Sequence, residues 1–385
     1  MIEAKEKNQL IVLAAGGTGG HVFPAEALAS ELISRGYELA LLTDKRAQAY
    51  KGTLGSLNRH IIFSSKPLTH TYISFAASSI FTAVSIISAW RVLKTLSPSL
   101  VVGFGGYVSL PTIIAARFNR ISTIIHEQNA VLGRANQILA PMAKNIATSF
   151  PETKGTDSYQ GKVTQTGNPV REEIITLCEQ SYEPPEKSGT IRLLVLGGSQ
   201  GAASIDNFIP AAIAKLPKSL TERLYLTHQS RLENVDLLRN KFSQLGIKAN
   251  VQGFYRDIAS KISESHLVIA RAGASTISEI SVMGKPALLI PYPRAIGQHQ
   301  KRNAIQFSRN SACEILEEKN FSSEFLAEKM AALLSNTNKL KSMAKASKNF
   351  GRPHAAKELA DLVEEVSPRS GDKYFKSKRP LGEVG

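Results

Sequence analysis

The chain predicts an α/β protein of two doubly wound, Rossmann-like domains with a binding cleft between them, and three observations carry that expectation. Short apolar runs alternate with helical patterns along the whole length, as parallel strands covered by helices on both faces require. The alternation is repeated in two halves. Each half opens on a buried-strand pattern that runs straight into a glycine-rich turn. The first reads Leu10-Ile11-Val12-Leu13-Ala14-Ala15-Gly16-Gly17-Thr18-Gly19-Gly20-His21; the second reads Ile191-Arg192-Leu193-Leu194-Val195-Leu196-Gly197-Gly198-Ser199-Gln200-Gly201-Ala202. Glycine admits left-handed backbone angles and lets a ligand approach with no Cβ in the way. A helix starting there offers free N–H groups and the positive end of its dipole to an anion, typically phosphate. Two such units suit one phosphorylated ligand and a second substrate held between domains.

In the first half, strands read at 9–14, 38–43, 59–64, 100–104, 122–126 and 145–148, and helices at 22–34, 73–96, 108–118 and 130–140. The turn-forming segment Gly167-Asn168-Pro169-Val170-Arg171 separates the halves, giving an N-terminal domain over 1–168 and a C-terminal domain over 169–350. The second half repeats the scheme, with strands at 192–196, 223–227, 249–252, 267–270 and 287–291. Its helices read at 203–216, 232–245, 258–265, 275–283, 299–308 and 322–336. A last helix, about 353–366, is expected to cross back onto the first domain, and 367–385 reads as a basic, disordered tail.

At 385 residues the chain can hold two domains, each with its own core. The net charge of +15 suits nucleic acid, an anionic membrane surface or a phosphorylated substrate. Its lysines and arginines are scattered, and no aromatic-interleaved basic strand or metal-finger spacing occurs, which sets nucleic acid aside. Cys178 and Cys313 form no redox or metal motif and read as idle thiols in a reducing compartment. Residues 1–8 are polar and lead directly into a strand, so no signal peptide is expected.

Residues 67–90 carry no Asp, Glu, Lys or Arg, which approaches spanning length. Ser74, Ser78, Thr82, Ser85 and Ser88 nevertheless recur at helical spacing, opposite Ala77, Ile80, Phe81, Val84 and Ile87, with Trp90, Arg91 and Lys94 at the end. That is an amphipathic helix with an uncharged polar face. It is expected to lie at an anionic membrane surface instead of crossing it, with packing on its own sheet as the plainer alternative.

Four loops have compositions that structure alone does not need. Gly103-Phe104-Gly105-Gly106-Tyr107 is a third candidate anion- or sugar-binding turn. His126-Glu127-Gln128-Asn129 ends a strand, where open α/β sheets place ligand groups, and its polar side chains are costly to bury without partners. In Arg271-Ala272-Gly273-Ala274-Ser275-Thr276-Ile277-Ser278-Glu279, small residues open a helix suited to a pyrophosphate, with Glu279 placed to accept from sugar hydroxyls. Gln298-His299-Gln300-Lys301-Arg302-Asn303 is dense in donors. A dinucleotide oxidoreductase stays open at this point. Gly17-Thr18-Gly19-Gly20-His21-Val22 lacks the spacing of that motif, yet Asp44 stands near the place of a ribose-binding acid.

The two glycine turns, the His126–Asn129 and Gly167–Arg171 motifs and the 271–279 segment occur, in this order, as they do in the MurG family of peptidoglycan N-acetylglucosaminyltransferases, which the chain resembles from about 9 to 364. The resemblance implies a GT-B fold with the active site in the interdomain cleft. It implies inverting transfer of GlcNAc from UDP-GlcNAc to the 4-hydroxyl of MurNAc in undecaprenyl-pyrophosphoryl-MurNAc-pentapeptide, converting lipid I to lipid II. It further implies a peripheral place on the cytoplasmic side of the inner membrane, among other cell-wall and division proteins. Donor contacts are implied at Thr18, Gly19, Gly20, Asn129, Arg171, Ser199, a backbone group of Tyr255, Ala274, Ser275, Thr276, Ile277, Ser278, Glu279 and Gln300. Ser275 and the pair Gln298-His299 depart from residues found in some members. His21 is the candidate general base, neutral because a helix N-terminus disfavours the imidazolium; a structural role beside the glycine turn is its alternative. No Asp-x-Asp motif occurs, so no metal is expected, and no cofactor. A nonhydrolysing sugar-nucleotide epimerase and a membrane-peripheral scaffold with a retained nucleotide site are the rival functions.

Overall fold

The structure is a computed structural model describing residues 9–17, 19–45, 52–62, 72–198, 201–309, 311–320 and 322–368. The first half runs β1 Leu10–Ala14, α1 Gly19–Ser34, β2 Glu38–Thr43, α2 Thr53–Ser56, β3 Asn58–Ile61, α3 Tyr72–Leu96, β4 Leu100–Gly103 and α4 Gly106–Phe118. It continues through β5 Ser122–Glu127, α5 Arg134–Leu139, β6 Asn145–Thr148 and β7 Val163–Gln165. These strands form one seven-stranded sheet in the order β3-β2-β1-β4-β5-β6-β7.

The second half runs α6 Glu172–Leu177, β8 Ile191–Leu196, α7 Ala203–Ile213, α8 Lys218–Thr221, β9 Leu224–Gln229, α9 Val235–Gln244, β10 Lys248–Gln252 and α10 Ile258–Glu264. Then come β11 Leu267–Ala270, α11 Ala274–Val282, β12 Ala287–Leu289, α12 His299–Ser308, β13 Cys313–Ile315, α13 Ser323–Leu334, α14 Thr337–Phe350 and α15 Ala355–Val366. Its sheet has six strands in the order β10-β9-β8-β11-β12-β13. All described pairings are parallel, and in each sheet the order reverses beside the first strand of its half. That reversal opens a crevice at the C-terminal strand ends.

The buried strands are apolar on both faces because helices cover both. Ile11 and Leu13 of β1 point toward α1 and α15, whereas Val12 and Ala14 join the core under α3 and α4. β8 divides in the same way, Leu193 and Val195 to one side, Leu194 and Leu196 to the other. Helix α15 packs on the first half: Leu359, Ala360, Leu362, Val363 and Val366 belong to its core, and Arg35, just after α1, pairs with Asp361 and Glu364. The tail from 369 lies outside the described residues.

Several elements differ from the sequence reading. The helix expected over 130–140 shortens to α5, because the Glu127 carboxylate holds the Asn129 and Gly133 amides in a loop. The short edge strands β7 and β13 and the helix α14 were not expected. Asn336 caps α14, its Oδ1 accepting from Lys339 N at 2.9 Å, so the helix expected over 322–336 stops short and a new one begins.

Helix α3 also corrects an expectation. Ser85, Ala89 and Leu93 are buried, so the small polar face turns inward, and Ser85 Oγ satisfies itself on the Phe81 carbonyl at 2.7 Å. Trp90, expected on the membrane face, packs against the core with Lys94 Nζ 4.9 Å from its ring. Phe81, Val84 and Ile87 remain about half exposed, with Arg91 and Lys94 exposed beyond them. The Ile80 side chain lies outside the described residues. No described helix is long and apolar enough to cross a membrane.

Candidate active site

The loops at the C-terminal ends of the two sheets meet across the cleft. Arg171, at the start of α6, donates from Nε and Nη2 to Glu279 Oε1 of α11 at 2.9 and 2.6 Å. Its guanidinium also lies 4.7 Å from the ring centroid of Phe23 on α1. Asn303 of α12, fully buried, accepts from Ala130 N at 2.8 Å and donates to Asn129 Oδ1 and the Ala272 carbonyl, both at 3.1 Å. The two halves are thus joined at the loops that carry the sequence motifs.

On the first wall, Gly17 has φ 91° and Gly16 has no room for a side chain: a Cβ would sit 2.6 Å from Val108 Cγ2. Gly19 and Gly20 form the first turn of α1; Thr18 lies outside the described residues. His21 follows in the same turn. Gly105 and Gly106, with φ 88° and 74°, bring the third glycine turn against the imidazole, where a Cβ at Gly105 would lie 3.3 Å from Cε1. His21 Nδ1 stands 3.1 Å from Gln128 Oε1.

His126, Glu127 and Gln128 are buried and partnered within the protein. Glu127 accepts from Asn129 N and Nδ2 through Oε1, and from Gly133 N and Asn136 Nδ2 through Oε2. Burial lowers the His126 pKa to about 4, so the ring is neutral near pH 7. The cost of burying this polar run is therefore met from inside. Asn129, half-exposed, is the member that reaches toward the cleft, pinned between Glu127 and Asn303.

On the second wall, the α11 N-terminus follows Gly273 and points its free amides into the cleft. Ser275 Oγ is buried there with no hydrogen-bond partner in the protein. Thr276 is half-exposed, Ser278 Oγ donates to the Ala274 carbonyl at 2.9 Å, and the Ala274 and Ile277 side chains belong to the core. Any ligand contact from Ile277 is therefore through its backbone. Burial pushes the Glu279 carboxyl pKa up, and the Arg171 guanidinium pulls it back.

Tyr255 is buried with its hydroxyl on the Asn250 carbonyl at 2.7 Å, leaving only its backbone for a ligand. Gln300 Oε1 accepts from Tyr292 N at 2.9 Å. Ser199 lies outside the described residues; at Gly201, φ 68°, a Cβ would meet Arg231 Cγ at 2.6 Å.

Sequence reasoning missed the supports. Asp206 accepts from His228 Nε2, Arg231 N and Asn234 Nδ2, and so ties the loop after β9 to the start of α7 behind the second glycine turn. Arg271 links Ser204, the Ile290 carbonyl and Glu318 at 2.7, 3.0 and 2.5 Å. Only the polar residues at strand ends, Asp206 in a first helical turn and His228 in β9, could have signalled this network.

Comparison with known proteins gives the family. Residues 11–148 match the glycosyltransferase family 28 N-terminal domain, and 192–359 match the family 28 C-terminal domain. A Paramagnetospirillum magneticum protein named UDP-N-acetylglucosamine–N-acetylmuramyl-(pentapeptide) pyrophosphoryl-undecaprenol N-acetylglucosamine transferase is 44% identical over 93% of this chain and 97% of its own. The crystal structure of Acinetobacter baumannii MurG matches with a TM-score of 0.74 at 28% identity, covering 93% of this chain and 99% of that one. A Neisseria meningitidis UDP-GlcNAc 2-epimerase matches with a TM-score of 0.66 at 13% identity, covering 93% and 100%, a likeness of fold alone. With GT-B architecture, both family 28 domains and full-length relatives, the chain belongs to the MurG family of N-acetylglucosaminyltransferases.

Proposed function

We propose that this enzyme moves GlcNAc from UDP-GlcNAc to the 4-hydroxyl of MurNAc in undecaprenyl-pyrophosphoryl-MurNAc-pentapeptide, with inversion at the anomeric carbon, in peptidoglycan synthesis. The observation that carries the site assignment is the unpartnered Ser275 hydroxyl at the α11 N-terminus, one turn from Glu279 and its Arg171 partner. The helix amides and Ser275 receive the diphosphate, Arg171 turns toward its charge, and Glu279 accepts from ribose hydroxyls. Tyr255 offers its backbone to the uracil, and Asn129 and Gln300 border the sugar. Gly19 and Gly20, with Thr18 before them, let the donor approach α1, and Ser199 does the same from the second turn. His21 takes the acceptor proton.

The lipid acceptor requires a membrane, and the Phe81, Val84 and Ile87 stripe with Arg91 and Lys94 supports docking of the first half on an anionic cytoplasmic leaflet. Mixing the enzyme with UDP-GlcNAc and lipid I tests the reading. UDP is expected in proportion to disaccharide lipid. UDP-N-acetylmannosamine formed without lipid I would mark an epimerase.

A further inference from the structure

Between His21 and the segment joining the two halves runs one continuous line of hydrogen bonds. His126 Nε2 lies 3.0 Å from the Gly167 carbonyl oxygen, which can only accept, so Nε2 carries the hydrogen. In the neutral ring Nδ1 is then a bare acceptor. The Gln128 amide nitrogen meets that Nδ1 at 3.0 Å, the Phe104 carbonyl at 3.0 Å and the His126 carbonyl at 3.2 Å. Three acceptors converge on one end of the amide, so the NH₂ group belongs there, and Oε1 faces the opposite way, 3.1 Å from His21 Nδ1. Gln128 is only 3% exposed, so it has no route to swing out to water. An amide oxygen only accepts. His21 must therefore donate from Nδ1.

We propose that Gln128 is a positioning residue for the transfer: it holds the His21 proton on Nδ1 and leaves Nε2 as the nitrogen that receives the acceptor's hydroxyl proton. This rests on the reading of His21 as the base and deepens it. In the step, the acceptor O–H bond breaks and its proton goes to Nε2. The freed oxygen pair forms the bond to the anomeric carbon, and the carbon–oxygen bond to UDP breaks with its electron pair leaving on the diphosphate. Throughout, the Nδ1–H remains on Gln128 Oε1, so the ring neither turns nor changes tautomer as it charges. Gly167 anchors the far end from a left-handed φ of 79°, where a Cβ would press at 3.0 Å on both Arg352 and Ala355. The chain of bonds thus starts where the two crossings between the halves meet.

The test is ¹⁵N NMR of the full-length enzyme labelled at histidine, with His21→Ala used to assign the resonance. The wild-type spectrum should show His21 as the Nδ1–H tautomer, with Nε2 unprotonated; an Nε2–H tautomer overturns the proposal and needs no variant to be read. Gln128→Met, which removes the acceptor, should abolish that preference and lower kcat by roughly 10- to 10³-fold, less than the full loss of a general base worth roughly 10²–10⁴, with the donor KM unchanged. Gln128→Glu retains a carbonyl oxygen toward Nδ1 and, when protonated, a donor toward Phe104. It should keep the tautomer and recover most of kcat. A Gln128→Met enzyme with the wild-type tautomer and kcat overturns the proposal. If His21→Ala retains turnover, the base reading fails by itself, and the tautomer result is unaffected.

Discussion

Replacing Asn303 tests how the halves are joined. Its side chain makes three hydrogen bonds, to Ala130 N, Asn129 Oδ1 and the Ala272 carbonyl, with the residue itself 0% exposed. Asn303→Ala removes all three and leaves the Ala130 amide and the Ala272 carbonyl, both in buried residues, without this partner. The two stranded buried groups cost about 1–3 kcal/mol each and the lost bond to half-exposed Asn129 about 1 kcal/mol, a total of about 3–7 kcal/mol. Asn303→Asp is the sharper change. One oxygen still accepts from Ala130, but the other now faces two acceptors. The Asn129 amide cannot turn over to help, because its Nδ2 is committed to Glu127 Oε1 at 3.1 Å. Near-isosteric Asp should therefore cost about as much as Ala at pH 7, since an uncompensated buried charge costs about 3–5 kcal/mol. The burial raises the new carboxyl's folded pKa above its unfolded value of about 3.9. Its deficit relative to wild type should shrink as pH falls from 7 toward 4, because the protonated acid can donate to Ala272. Urea denaturation of all three proteins, followed by circular dichroism at several pH values, reads this directly. An Asn303→Asp protein within about 0.5 kcal/mol of wild type at pH 7, the usual range for an inconsequential surface change, would refute the bonding scheme.

Three further outcomes are expected. Glu279→Ala should weaken UDP binding about 10- to 100-fold in calorimetry, as loss of about 1.5–3 kcal/mol of charged hydrogen bonding requires, with the fold intact; unchanged affinity removes the ribose role. Phe81→Ser with Ile87→Ser, or Lys94→Glu, should reduce binding to anionic liposomes, each cation being worth about 1 kcal/mol, whereas Trp90→Ser should chiefly lower stability because that ring packs on the core. Intact liposome binding in the double variant would place docking elsewhere. His126, neutral in the fold with a pKa of about 4 against 6.5 when free, should make the native state lose about 3 kcal/mol as pH falls from about 6.5 to about 4, since the unfolded chain binds the proton first. A His126→Gln protein with an identical pH slope of stability would contradict this.

The alternation of strand and helix was legible because every central strand is buried on both faces and ends at a glycine or polar turn. β1 and β8 show it most plainly, each feeding its two faces to separate cores. The candidate residues were legible as types, but not as partners. Arg171 and Glu279 were each read as ligand contacts; nothing in their sequence separation shows that they pair. The His126–Asn129 run looked costly to bury, yet Gly133, Asn136, Asn303 and Gly167 meet the cost from elsewhere in the chain. In helix α3 the outward stripe of Phe81, Val84 and Ile87 was legible, and a serine that bonds its own helix carbonyl can face the core opposite it. Periodicity alone did not show that the Trp90 ring packs on that core. Edge strands as short as β13 carry too few residues for a period to register.

The most direct measurement is the structure of the product. Purified enzyme, UDP-GlcNAc and lipid I are incubated, and the new linkage is read by NMR of the isolated disaccharide lipid. The account predicts a single β bond from GlcNAc to O4 of MurNAc, formed mole for mole with UDP. An α linkage, a different hydroxyl, or UDP released with lipid I unchanged would contradict it.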